Sequence, residues 1–144
     1  MKKRLEDSIR DDEAPRDLVL LLRGGEDRKE KLIRRADLLE EAFTYGDRPA
    51  RGLSLFAASS DLEAWVLLGT QFRTFSKYRR VEAADLARHG LLLPTFAAPH
   101  WTLMIQAPDG SEVDEEAFLT ELLAILGPAL DNPKYQPNRK RRER

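Results

Sequence analysis

LLLPTFAAPHWTLMIQ, residues 91–106, is the stretch on which the fold turns. Leu91 to Phe96 and Trp101 to Gln106 are apolar runs of strand length, interrupted by Ala97-Ala98-Pro99. The two runs read as a hairpin, which points to a mixed sheet and away from the purely parallel sheet of an α/β protein.

Upstream, residues 83–89 form a short helix stopped by Gly90, and FSKYRRVE (75–82) alternates bulky with charged side chains in the manner of an edge strand. Ser60-Asp61-Leu62-Glu63 is a Ser-x-x-Glu helix start, and the helix behind it is expected to bury Leu62, Trp65 and Val66 and to end near Gly69. RGLSLFA (51–57) is a strand. From Asp27, with Glu30 completing a capping-box-like pair, Leu32, Ala36, Leu39 and Phe43 recur at helical spacing. Asp17 to Leu22 is a strand-length apolar run closed by Arg23-Gly24-Gly25.

Downstream, Pro108-Asp109-Gly110 turns the chain into a last helix. Its inward stripe is Phe118, Leu122 and Ile125, its N-terminal acids are Asp114, Glu115 and Glu116, and Gly127-Pro128 ends it. The expected class is α+β: a single layer of about five mixed strands packed by three to four helices.

At 144 residues the chain has the size of one domain. Residues 1–16 mix acids and bases with only Leu5 and Ile9 to anchor a helix, and are expected to dock loosely before Pro15. Residues 17–133 form the domain. Residues 134–144 form a basic tail carrying Lys134, Arg139, Lys140, Arg141, Arg142 and Arg144 against Glu143, a net +5 in a chain of net −1. A charged fraction of 34% implies a densely charged surface. No run approaches the length that spans a bilayer and the first twenty residues lack a secretory core, so a cytoplasmic location is expected.

The chain has no cysteine and two histidines. A thiol nucleophile and a Cys/His zinc site are therefore excluded, and no metal is expected. Pro99-His100-Trp101-Thr102 contains the His-x-Thr tripeptide of the two-histidine phosphoesterases, where His and Thr share one strand face. The other histidine, in His89-Gly90-Leu91, has leucine where that family needs Ser or Thr.

Leu18 to Leu22 with Arg23-Gly24, followed by Gly52-Leu53-Ser54-Leu55-Phe56 and the helix beyond it, resembles the opening of ADP-ribosyltransferase-like domains. That resemblance implies a strand-end arginine and a strand serine cradling a nicotinamide nucleotide, here Arg23 and Ser54, with NAD as the substrate. It also implies a carboxylate offsetting the sugar cation, for which Glu115 stands among the acids of residues 112–116. In addition, Leu-Leu-Arg-Gly-Gly, Gly-Leu-Ser-Leu-Phe-Ala, Leu-Pro-Thr-Phe and Pro-His-x-Thr are similar to small actinobacterial-type proteins associated with toxin and antitoxin-like gene pairs. This implies a stress or defence context.

Lys77, Arg79 and Arg80, interleaved with Phe75 and Tyr78, together with Arg139, Lys140, Arg141 and Arg142 of the tail, suit contact with nucleic-acid phosphates and bases. Three readings stay open. The first is an accessory or toxin-like component acting on or beside nucleic acid, with no cofactor. The second is an NAD-consuming transferase, and the third a non-catalytic partner of a cognate protein from a neighbouring gene.

Overall fold

In a computed structural model of the chain, the described residues are 1–11, 19–23 (backbone only) and 28–137. In chain order the elements are β1 (Lys3–Arg4), a 3-10 turn (Leu5–Ser8), β2 (Val19–Arg23), α1 (Lys29–Ala42), β3 (Phe43–Tyr45), β4 (Arg48–Pro49), β5 (Gly52–Ala58) and α2 (Asp61–Leu68). There follow β6 (Lys77–Glu82), α3 (Ala83–His89), β7 (Leu91–Pro94), β8 (His100–Met104), α4 (Glu115–Ile125) and β9 (Leu130–Asp131).

The fold is α+β. A six-stranded sheet runs in the order β7-β8-β5-β2-β6-β9, and every pairing in it is antiparallel. Mixed pairing occurs only in a small second sheet, where β3 lies parallel to β1 and antiparallel to β4. All five strands expected from the sequence are present. The sixth, β9, is a dipeptide without a run long enough to carry a periodic signal. No helix among the described residues is long and apolar enough to cross a membrane.

β5 shows how two cores arise from one strand. Successive side chains point to opposite faces, so Leu53, Leu55 and Ala57 pack with Leu32, Leu103, Phe118 and Leu119 on the face covered by α1, α3 and α4. Phe56 and Ala58 instead pack with Ala64, Leu67, Leu68 and Phe72. A third cluster on this second face joins Leu5, Ala50 and Met104 to Leu39, Phe43 and Phe96. Leu5 is fully buried. The described part of the N-terminal segment is therefore not a loosely docked helix but a short strand and one 3-10 turn held by that leucine.

α2 buries a different side from the one expected. Its start is as read: Ser60 accepts a hydrogen bond from Glu63 N at 3.2 Å, while the Glu63 carboxylate takes its bond from Ser59 N at 2.8 Å. But Ala64, Leu67 and Leu68 face the sheet, and Leu62, Trp65 and Val66 are 72%, 48% and 51% exposed. DLEAWVLL is apolar on every side, so periodicity cannot select a face; small Ala64 lets the helix come close to β5. At α1 the capping residue is Arg28, with no side-chain bond, and Asp27 lies outside the described residues.

The chain beyond α4 is stitched to the body. The buried Asn132 donates its amide to Leu68 O, Phe72 O and Phe75 O at 3.0, 3.0 and 3.1 Å and accepts from Lys134 N at 2.9 Å. Gln136 N bonds Arg73 O at 2.7 Å. Asn132→Ala would strand these carbonyls in an apolar setting and is expected to cost about 2–3 kcal/mol, read by urea denaturation.

Candidate functional site

Register sets the site. Ser54 on β5 lies opposite Thr102 on β8. On the other flank of β5, Leu21 of β2 lies opposite Phe56, the last pair of that ladder, and Arg23 follows two residues on. Arg23 is in turn opposite Tyr78 of β6. Thr102, Ser54, Arg23 and Tyr78 thus occupy a row of backbone positions on four neighbouring strands.

The row runs between the two clusters that cover this face, the one under α2 and the one around Leu5 and Met104. Between them is a groove of about 490 Å³, lined by Arg35, Leu38 and Leu39 of α1, Gly52 and Ser54 of β5, and Phe43, Phe75 and Phe96. Gly52 is required by close strand approach: a Cβ there would sit 2.8 Å from Leu103 O and 2.9 Å from Thr102 Cγ2.

His100 opens β8 on the face of Thr102 and Ser54. Its ring stands nearly edge-on to Phe56 and Phe96, with centroids 5.2 and 5.1 Å away. Nδ1 is 3.0 Å from Thr95 Oγ1 and 3.3 Å from Thr95 O, and Thr95 Oγ1 is 2.7 Å from Thr102 Oγ1. Both threonines are buried. A proton on Nδ1 can be donated to Thr95 O, and in that tautomer Nε2 is the basic nitrogen. The sequence singled out His100 and Thr102 but not Thr95, the hydroxyl that joins them. His89 lies on the opposite face, its ring 4.2 Å from that of Phe118 and its Nε2 2.9 Å from Phe118 O. The two histidines thus do not share a site.

The turn that presents His100 carries a strained residue, Phe96 at φ 58°, in a region costly for a bulky side chain. One nitrogen of Arg10 holds it, donating to Thr95 O, Phe96 O and His100 O at 2.7, 3.0 and 2.8 Å. Nothing in the charged N-terminal sequence distinguishes Arg10 from its neighbours as this clamp. Arg10→Ala is expected to destabilise the fold by about 2 kcal/mol, with the earliest amide-exchange losses at residues 95–100.

Glu115 is not brought to the groove. It sits in the first turn of α4, on the other side of the sheet, and grips Arg51 with both oxygens (2.6 and 3.1 Å). Asp37 at 2.8 Å and Glu40 bind the same guanidinium, which is held above its ordinary pKa chiefly by the bond to Glu115, against the opposing effect of burial. Arg51 thereby ties α1 to α4. It borders a cavity of about 390 Å³ that also carries the Arg48–Glu112 ion pair. With four hydrogen bonds to three carboxylates, it is a structural hub. Arg51→Met would leave three carboxylates facing one another and is expected to cost about 3 kcal/mol, read as a fall in the denaturation midpoint.

The predicted basic edge is largely neutralised. β6 lies between β2 and the two residues of β9, so it is not the edge strand expected. Arg79 is 8% exposed and donates to Gly127 O at 3.3 Å, because its face of β6 is the one that carries Val81 into the first core. Lys77 is paired with Asp131, and Arg80 with Asp61 at 3.1 Å. Arg139, Lys140, Arg141 and Arg142 lie outside the described residues.

Comparison with protein families, curated proteins and solved structures gave no match. Among the described residues no group of three His, Cys, Asp or Glu is placed to hold a metal ion.

Proposed function

We propose that the groove binds a nicotinamide dinucleotide and that the chain is an ADP-ribosyltransferase-like enzyme consuming NAD as substrate. The observation that supports this reading is the pairing of β2 with β5, in which Arg23 and Ser54 each lie two residues beyond the paired Leu21 and Phe56, although they are far apart in sequence. Arg23 supplies charge-assisted bonds to the pyrophosphate. Ser54 hydrogen-bonds the nicotinamide ribose, and Phe43, Phe75 and Phe96 offer aromatic surface to the nicotinamide ring.

The glutamate implied by the resemblance is replaced in this assignment, since Glu115 is bound to Arg51. His100 takes a different role. As the C1′–N bond breaks, nicotinamide leaves with the electron pair. An acceptor oxygen closes on C1′, and its proton passes to His100 Nε2.

The test is incubation of the purified chain with NAD, with chromatographic detection of nicotinamide. Release by the wild type, reduced in Ser54→Ala and His100→Ala and unchanged in His89→Ala, is the expected result. Neither release nor NAD-dependent thermal stabilisation under any acceptor condition would remove the reading.

The nucleic-acid reading now leans on the tail, because Arg79 is buried and Lys77 and Arg80 are paired. It predicts affinity for single strands that falls steeply with salt and is lost on deletion of residues 138–144.

A further inference from the structure

The outer side of α2 is built for contact. Leu62, Trp65 and Val66 stand exposed at positions i, i+3 and i+4, and Gly69 continues the stripe at i+7. Monomeric surfaces seldom carry such a run of large apolar side chains without a partner, and Trp is the residue that most often anchors an interface. The inner side of the helix is already committed to Phe56 and Phe72 through Ala64, Leu67 and Leu68. Among the described residues the stripe is therefore unpartnered, apart from Lys134, whose ammonium lies 4.5 Å over the Trp65 ring.

Charge along the helix selects the occupant. Its N-terminal end carries Asp61 and Glu63, both exposed; its C-terminal end carries Lys134, whose stem lies against Gly69, followed by exposed Arg73. We infer that the stripe docks a second copy of this chain, with the two α2 helices antiparallel about a two-fold axis between Trp65 and Val66. In that arrangement Leu62 meets the Gly69 end of its mate and packs on the Lys134 stem that lies against that glycine. Asp61, which within its own chain pairs with Arg80, and Glu63, whose carboxylate accepts from Ser59 N, are both exposed and face Lys134 and Arg73 of the other copy, so the contact is self-complementary, as a two-fold interface must be. The antiparallel helix dipoles add to the attraction. The interface goes beyond the nucleotide reading and leaves the groove open, since α2 docks through the side turned away from the sheet.

Sedimentation equilibrium of the full chain across micromolar to millimolar concentration provides the test, with acrylamide quenching of tryptophan fluorescence in parallel. Trp101 is 3% exposed, so quenching reports Trp65. A monomer–dimer equilibrium is expected, with Trp65 increasingly shielded as the dimer forms. Val66→Glu, a surface change whose folding is checked by circular dichroism, should weaken the dimer by more than about 30-fold. Lys134→Glu and Asp61→Lys should each weaken it several-fold, and the double exchange should restore it. A monomer throughout the range with Trp65 quenched at every concentration would overturn the inference and leave the stripe to a different protein or to nucleic acid. A dimer indifferent to Val66→Glu, or a double exchange that does not recover, would also overturn it.

Discussion

Arg23→Ala is expected to lower nicotinamide release from NAD about 100-fold or more while leaving the denaturation midpoint nearly unchanged. The magnitude follows from losing two charge-assisted hydrogen bonds of about 1.5 kcal/mol each to the pyrophosphate. The residue ends β2, opposite Tyr78 of β6 and two residues beyond the last pair with β5. Loss of an anion contact should fall mainly on KM, whereas His100→Ala should fall on kcat, because the proton it accepts moves only in the transition state. Arg23→Lys should recover part of the binding and not all of it, since an ammonium cannot span two phosphate oxygens as a guanidinium does. Arg80→Ala controls for general loss of positive charge. If Arg23→Ala retained full turnover, the row across the sheet would not be the binding site.

Phe72→Ala is expected to be the most destabilising single change, at about 3–5 kcal/mol by urea denaturation. Its ring is fully buried and stands edge-on to Phe56 at 5.6 Å and Tyr78 at 6.4 Å, so it joins β5, β6 and α2. Its backbone is anchored as well: Phe72 N bonds Leu67 O at 3.0 Å, and Phe72 O accepts from Asn132. The segment is thus held in place around the hole, and the cavity cannot easily collapse. Phe72→Leu should recover about half of the loss by refilling volume. A cost under about 1 kcal/mol for Phe72→Ala would mean that the turn closes over the gap and that this cluster is not the joint between the elements.

The element boundaries were legible because they rest on local chemistry. The Leu91 to Gln106 hairpin, the Ser60 cap and the apolar stripe of α4 all appear where the residues place them. The choice of buried face was not legible wherever the pattern offered two. Alternation along β6 separates Lys77 and Arg79 from Tyr78 and Arg80 but does not say that the Arg79 face turns inward beside Val81. On α2, apolar residues all round left the contact with Phe56 and Phe72 to decide.

The candidate site divides in the same way. Arg23, Ser54, His100 and Thr102 stand out in the sequence by residue type within local motifs. Arg10 and Thr95 were missed because each acts through a partner 85 residues away or across a turn, and neither stands out by type in its own segment. Glu115 carried the right chemistry in the wrong place: a helix N-terminus attracts carboxylates for its own reasons, and Arg51 claimed this one.

By itself, then, the amino-acid order determined the five longer strands, the main helices, the α+β class and the absence of a cysteine nucleophile, because caps, turns and periodicity act over a few neighbouring residues. The tertiary structure alone decided that β2 inserts between β5 and β6, that Glu115 lies on the far face and that Trp65 stands in solvent. Strand order and helix facing depend on which distant apolar surfaces can be buried together, and that competition is settled only when the whole core closes.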